Sequence, residues 1–457
     1  MIAHHPFSFL LTVLFLAVTG TSLPDGIQTA SPGPQISTDI QSLVNDHYLI
    51  EYNGSLTSSA ITAFEQKLNR SVAKSGHYEG VLTSWKIGSF SGAHVHVSPQ
   101  DFEQLKNDSA IRFIEPNSLV QLCQSVNKRC DNDGQVFIRS RDNMRVDASE
   151  QTTWGQARIS HYVLSGARNE QGFYEYAYTA GNPTVFILDT GISTSHAQFE
   201  DGRAQFDANL VTGSDADTDD HGHGTHVSAT VGGIQYGVAK CPPERLNLIA
   251  LKVLDKSGVG TWDGVIGALQ RAASTTVDKD LFTLAIILLP LSGPPSAVLE
   301  SVLQVLISPS YQMTIISAAG NNGTSTSLFS PSNSNSSITV AAIDETDTRA
   351  WFSNYGEQVT LFAPGTNITS AWIGGTDNTK TLDGTSQAAA HVAGLAAHFM
   401  QIYGPHTHQE MRARLMSVAT KGLARNPGDG SPNLIAFNGA QARRQDETEF
   451  MVVPSSG

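Results

Sequence analysis

Positive charge is scarce in this chain. Lys and Arg number 28 against 42 Asp and Glu, a formal net charge of −14 over 457 residues. A field of that sign repels phosphate backbones, so nucleic acid is excluded as an expected partner, and solubility is the ordinary consequence of the charge. Cysteine is rarer still. Three residues, Cys123, Cys130 and Cys241, cannot build a disulfide framework. Cys123 and Cys130 are close enough in sequence to pair in an oxidising compartment, which would leave Cys241 as a buried thiol. Long apolar runs are nearly absent. Leu281 to Leu291 is interrupted by Pro290 and reads as a buried strand. Phe7 to Val18 is too short to span a bilayer comfortably and is followed by small residues. Residues 1–22 therefore read as a secretory signal peptide cut after Gly20 or Ser22. No membrane span is expected, and the mature protein is expected to be secreted, extracellular and monomeric. Export gives meaning to the sequons at Asn53, Asn69, Asn107, Asn322, Asn335 and Asn367.

An apolar content of 40% supplies ample core for more than one domain. Residues 23–46, rich in Ser, Pro, Gly and Thr, read as a linker. From 47 to 122 the texture is that of a small α+β domain. "YLIEYNG" and "GAHVHVS" alternate like strands, "SSAITAFEQKLNRSVAKS" has helical spacing, Ser98 is a candidate cap for "SPQDFEQLKND", and "AIRFIEP" is a closing strand. Residues 123–150 read as a second, cleavable linker. From 151 to 439, apolar runs such as "TVFILDTG", "FTLAIILLPL" and "MTIISAAGN" alternate with helical stretches such as "SQAAAHVAGLAAHFMQI". Continuous apolar strands separated by helices imply an α/β fold, a mostly parallel sheet with helices on both faces. The polar tail at 440–457 reads as disordered.

In such sheets, ligands bind beyond the carboxyl ends of the strands. Asp189 ends "TVFILD", Asn321 follows "MTIISAAG", Ser386 opens the longest helix behind Gly384–Thr385, and "DDHGHGTHVSAT" opens another. A serine hydroxyl needs a base to become a nucleophile, and neutral imidazole is the usual one. The imidazolium formed needs a carboxylate, and the tetrahedral oxyanion needs fixed donors such as an Asn amide or an N–H at a helix start. Each residue alone has an ordinary reading as a cap or a turn. Together they are the parts of acyl transfer.

"FILDTGI", "GHGTHVS", "SAAGNNG", "ITVAAIDETDTRAWFSNYG", "LFAPGTNI" and "DGTSQAAAHVAG" resemble the subtilisin-like serine peptidases. The spacing, with "WGQARIS", is most similar to the fungal proteinase K branch. The Asp, His, Ser chain order also agrees. The resemblance spans about 150–439 and implies a subtilisin-like fold, with Ser386 as nucleophile, His223 as base, Asp189 as its partner and Asn321 as oxyanion donor. It makes His226 structural and His221 a loop residue. It implies that 47–122 is a ferredoxin-like inhibitory propeptide, the chain's own intramolecular partner, and that proteins or peptides are the substrates. No cofactor is required for the chemistry. Metal chemistry at the histidines is disfavoured because no His-Glu-x-x-His occurs. A structural calcium at Asp215, Asp217, Asp219 and Asp220 is possible, as in some relatives, but a solvated loop is the preferred reading. His391 reads as a core histidine.

Substrate binding is expected at "SGVGTW", where Gly258 and Gly260 would admit a peptide backbone and Trp262 would wall a pocket. The opposite strand, "LLPLSG", departs from the family's Asn-Met-Ser-Leu-Gly-Gly. Pro290 replaces Ser but keeps a carbonyl that can accept, Leu291 follows, and Ser292 adds bulk where glycine is usual. An altered preference is expected. Two alternatives follow. One is a weak homologue that binds protein without efficient turnover. The other is an esterase or lipase, against which the absence of Gly-x-Ser-x-Gly around Ser386 and the chain order both argue.

Overall fold

The computed structural model describes residues 43–74, 76–123, 144–147, 152–163, 174–177, 181–214, 216–240 and 245–440. Residues 1–22, expected as a signal peptide, residues 23–42, the tail from 441, Cys130 and Cys241 lie outside them. The first elements are β1 (Leu43–Tyr52), α1 (Ser58–Val72), β2 (Gly80–Ile87), β3 (Phe90–His96), α2 (Pro99–Leu105) and β4 (Ile111–Leu122). Thr57 and Ser98 cap the two helices through their side-chain oxygens. The strands form an antiparallel sheet in the order β4–β1–β3–β2. Tyr48, Ile50, Tyr52, Leu68, Val72 and Val95 form its core. β1 begins at Leu43, so it takes the last four residues of the segment 23–46 expected as a linker.

β5 (Met144–Asp147) pairs with β6 (Tyr174–Ala177), so the segment 123–150, also expected as a linker, contains a strand. Between and beyond them come α3 (Trp154–Ser160), β7 (Thr184–Asp189), β8 (Ala204–Asn209), α4 (His223–Gly232), β9 (Asn247–Lys252), β10 (Val259–Thr261), α5 (Trp262–Asp278), β11 (Ala285–Leu289), β12 (Leu291–Ser292), α6 (Ala297–Ile307) and β13 (Thr314–Ala318). The chain continues with β14 (Ile338–Ile343), β15 (Val359–Pro364), β16 (Ile368–Ala371), β17 (Thr379–Leu382), α7 (Thr385–Tyr403), α8 (His408–Val418), β18 (Thr420–Lys421) and β19 (Leu434–Ile435).

The large sheet runs β18–β19–β15–β14–β13–β11–β7–β9–β8 and is parallel except at β18–β19. Its two faces explain the unbroken apolar runs. On β7, Val185 and Ile187 belong to the core that holds α4 and α7, whereas Phe186 and Leu188 belong to the core that holds α5 and α6. Each such buried aliphatic side chain contributes about 1.5–3 kcal/mol relative to exposure. This is the α/β architecture expected from the sequence, a mostly parallel sheet with helices on both faces. No helix among the described residues is long and apolar enough to cross a membrane.

Candidate active site

Two glycines place His223. Gly222, the residue before α4, has φ +107, and a Cβ there would lie 2.5 Å from the Trp372 ring. A Cβ on Gly224 would lie 2.0 Å from the carbonyl oxygen of Gly191. Only residues without a side chain let the start of α4 settle onto the turn that follows β7. At the end of β7, Asp189 is fully buried. His223 Nδ1 lies 2.9 and 2.8 Å from its two carboxylate oxygens. The Thr190 N–H donates to Asp189 Oδ1 at 2.7 Å and fixes the carboxylate plane. His223 Nε2 is buried and has no partner among the described residues.

Ser386 lies in the first turn of α7, a helix of 19 residues, where backbone N–H groups point out of the helix. Its N–H donates to the carbonyl oxygen of Cys123 at 3.2 Å. Its hydroxyl donates to the Pro290 carbonyl at 2.7 Å. The hydroxyl is therefore turned to the cleft strand and not to His223. Asn321 Oδ1 accepts from the N–H of Thr385 at 3.0 Å and from its hydroxyl at 2.8 Å. That leaves the Asn321 Nδ2 donor buried and unpartnered among the described residues. An unpaired buried amide donor carries a desolvation cost of about 1–3 kcal/mol, which an oxyanion would relieve.

The cleft is occupied by the chain itself. β4 does not stop at the small domain. Leu43–Tyr52 pairs with it as far as Ser118, after which Leu119, Val120 and Gln121 pair with Thr261, Gly260 and Val259 of β10. On its other side, Gln121 and Leu122 pair with Ser292 and Leu291 of β12. The Leu122 N–H donates to Gly258 O at 3.2 Å, and the Cys123 N–H to Pro290 O at 3.3 Å. A Cβ on Gly258 would lie 2.6 Å from Leu122 Cδ1, so this glycine does admit a neighbouring chain. Gly260 answers to a different neighbour: a Cβ there would lie 2.0 Å from Val253 O. Trp262 is buried, and a Cβ on Gly293 would lie 2.9 Å from both Trp262 Cζ2 and Val120 Cγ1. The tryptophan thus walls a pocket holding Val120.

Cys123 was not anticipated here. It is a free, buried thiol, so the local pairing with Cys130 that the sequence allowed is not made. Burial pushes the thiol up to about 12. The only local signal was Val120 and Leu122, which keep an alternation that Pro116 and polar Asn117–Ser118 interrupt. The other polar residues sort by contact. His226 is buried with Nε2 3.1 Å from the carbonyls of both Ile368 and Lys380, and burial lowers it to about 3. His391 holds the Gln387 carbonyl at 2.8 Å through Nδ1, packs over Gly155 of "WGQARIS", and is lowered to about 4 by burial. His221 is half-buried beside His223 and is lowered by burial, then by that neighbour.

Of the acidic run, Asp215 lies outside the described residues and Asp217 is exposed, but Asp219 is buried, unlike the solvated residue expected. Burial alone would raise it, yet hydrogen bonds from Thr225, Gly222 and Thr190 hold it below the usual carboxylate range. Asp220 pairs with buried Lys252 at 2.6 Å. Both carboxylates therefore brace the turn that carries His223.

A parallel sheet with a buried carboxylate–imidazole pair, a serine at a helix start and a spare amide donor on one rim has the layout of an acyl-transfer hydrolase. Residues 180–437 match the subtilase family, and the chain belongs to it. It is a serine peptidase, a hydrolase acting on peptide bonds. It is 34% identical over 405 residues to Subtilisin-like protease 2 of Pseudogymnoascus destructans, covering 88% of this chain and 92% of that protein. It is 30% identical over 416 residues to the Cuticle-degrading protease of Metarhizium anisopliae, covering 90% and 94%. A crystal structure of a cold adapted subtilisin-like serine proteinase superposes with a TM-score of 0.56 at 33% identity, covering 63% of this chain and 98% of that one.

Proposed function

We propose that the protein is a secreted endopeptidase made as a zymogen, and that residues 47–122 are its internal inhibitor. In this reading Ser386 attacks a peptide carbonyl, His223 Nε2 takes the proton and later returns it to the leaving amine, and Asp189 holds the ring and stabilises the imidazolium. Asn321 Nδ2 and the Ser386 N–H hold the oxyanion. Gly258, Gly260 and Trp262 on one side, and Pro290, Leu291 and Ser292 on the other, bind substrate as a strand. No cofactor enters any step.

The observation that carries the reading is the Cys123 carbonyl, which accepts from the Ser386 N–H at the end of a strand paired on both sides. A segment lying there in the manner of a substrate is also a competitive inhibitor. The bond from the Ser386 hydroxyl to Pro290 is the observation that favours a weakly active homologue instead. Secreted wild type and Ser386→Ala decide between them when incubated with a peptide library. Wild type alone should cleave, by a factor of at least about 1000 over the variant. Equal cleavage by both, or none by either, contradicts the proposal.

A further inference from the structure

The His223 N–H is one of the donors that the first turn of a helix leaves without an intrahelical acceptor. It donates to His221 Nδ1 at 3.3 Å. A ring nitrogen that accepts carries no proton. Burial, then His223 beside it, lowers the His221 pKa, so the ring is neutral at pH 7 and its proton sits on Nε2. The ring is held in place. Its own backbone N–H donates to Asp219 Oδ1 at 3.1 Å, and the Trp372 ring packs against it at 6.1 Å. Nε2 is turned to the cleft. A Cβ on Gly258 would lie 3.7 Å from it and 2.6 Å from Leu122 Cδ1. The Leu122 side chain and the His221 Nε2–H therefore share the space over one glycine. Leucine has no acceptor to offer that donor.

We propose that His221 is a specificity-determining residue, its Nε2–H reading the second residue before the cut and favouring a short amide side chain there, asparagine foremost. The inference rests on the peptidase reading above, in which substrate lies where Leu119–Leu122 lie. Asparagine has the branched outline of leucine, so its Oδ1 takes the place of Leu122 Cδ1 and faces the donor. A fixed donor selects the side chain that satisfies it over one of the same shape that does not. The amide is favoured over the carboxylate of the same shape because Asp189 and Asp219 both act on the His221 ring, and a third negative charge beside them is repelled.

Two peptides that differ only at that position, Asn against Leu, test it on processed wild type, His221→Phe and His221→Gln. The quantity read is the ratio of kcat/KM for the Asn peptide over the Leu peptide. Phenylalanine keeps a ring against Trp372 and removes the donor. The ratio should fall at least about fivefold in His221→Phe, the worth of one net hydrogen bond. His221→Gln keeps an N–H donor and should recover part of that loss. A residue that merely props the turn before α4 would lower kcat/KM for both peptides alike, so an unchanged ratio in His221→Phe overturns the proposal.

Should His221→Phe fail to fold, a second measurement needs neither turnover nor a change at His221. The full chain carrying Ser386→Ala is compared with the same chain carrying Leu122→Asn as well, both with nitrogen-labelled histidine. The His221 Nε2–H proton resonance should move downfield when the asparagine oxygen accepts from it. An unmoved resonance overturns the proposal. Cleavage of both peptides with an unchanged ratio overturns this inference and leaves the peptidase reading intact. Absence of cleavage of either peptide by processed wild type overturns the peptidase reading, and this inference with it.

Discussion

A methyl group at residue 224 would meet the carbonyl of Gly191 at 2.0 Å, which is far inside van der Waals contact. His223 and Asp189 are joined across that contact, so the glycine sets their separation. Gly224→Ala is expected to cost at least about 100-fold in kcat with a small change in KM, because misplacing a reacting group by an ångström costs about that much. Steady-state kinetics on a short peptide check it. Asn321→Ala should lower kcat by about 100- to 1000-fold, which is the magnitude established for the oxyanion-hole asparagine of subtilisin itself. Asn322 adjoins Asn321, the proposed oxyanion donor, and its N–H is held by Asn354 Oδ1 at 2.9 Å. A glycan there would crowd the cleft, so this sequon is expected to be unoccupied in active protein. An intact glycopeptide at Asn322 from active material would contradict that.

At the scale of elements, the small domain grips the large one by its helix starts. Glu115 of β4 accepts from Ser296 Oγ and from the N–H groups of Ala297 and Val298, so it caps α6 from outside. Burial raises its pKa above the usual carboxylate value despite those bonds. Asn117 likewise donates to Asp263 in the first turn of α5 at 2.6 Å. If the small domain inhibits as proposed, Glu115→Ala should weaken that inhibition by roughly 10- to 100-fold, the worth of about 1.5–3 kcal/mol of charged hydrogen bonding. Slow-binding inhibition kinetics would show it, and an unchanged inhibition constant would contradict it. The apolar period along the chain made the sheet strands β7, β9, β11, β13, β14 and β15 and the helices α5, α6 and α7 legible. β8, β18 and β19 were not, because "AQFDAN" lacks a two-sided apolar run and the last two have two residues each. The strand crossing from the small domain into the cleft was missed for a different reason. Pro116 and polar Asn117–Ser118 read locally as an end, while the pairing that continues the strand comes from β10 and β12, more than 130 positions later. Which residue types lined the rim was readable. That Ser386 would turn its hydroxyl to Pro290 was not, since it depends on what fills the cleft.

For the molecule as a whole, acid is the expected weakness. His226 is lowered to about 3, and His391 and His408 to about 4, in each case first by burial. Each is neutral when folded and protonates near 6.5 when unfolded, so the unfolded state binds more protons between those values. Stability is then full above about pH 6.5 and falls as pH drops toward 4. His391→Gln should flatten that fall. Urea unfolding of both proteins at pH 8 and pH 5 measures it, and equal slopes would contradict the assignment.

The central claim is that Ser386 is made nucleophilic by His223, although in this structure its hydroxyl donates to the Pro290 carbonyl. A fluorophosphonate reacts only with such a serine, and its adduct can be located by peptide mass mapping. Processed wild type should be labelled at Ser386 in stoichiometric amount, the unprocessed chain and His223→Ala slower by at least about 100-fold. Label on another residue, or equal labelling of His223→Ala, would contradict the account.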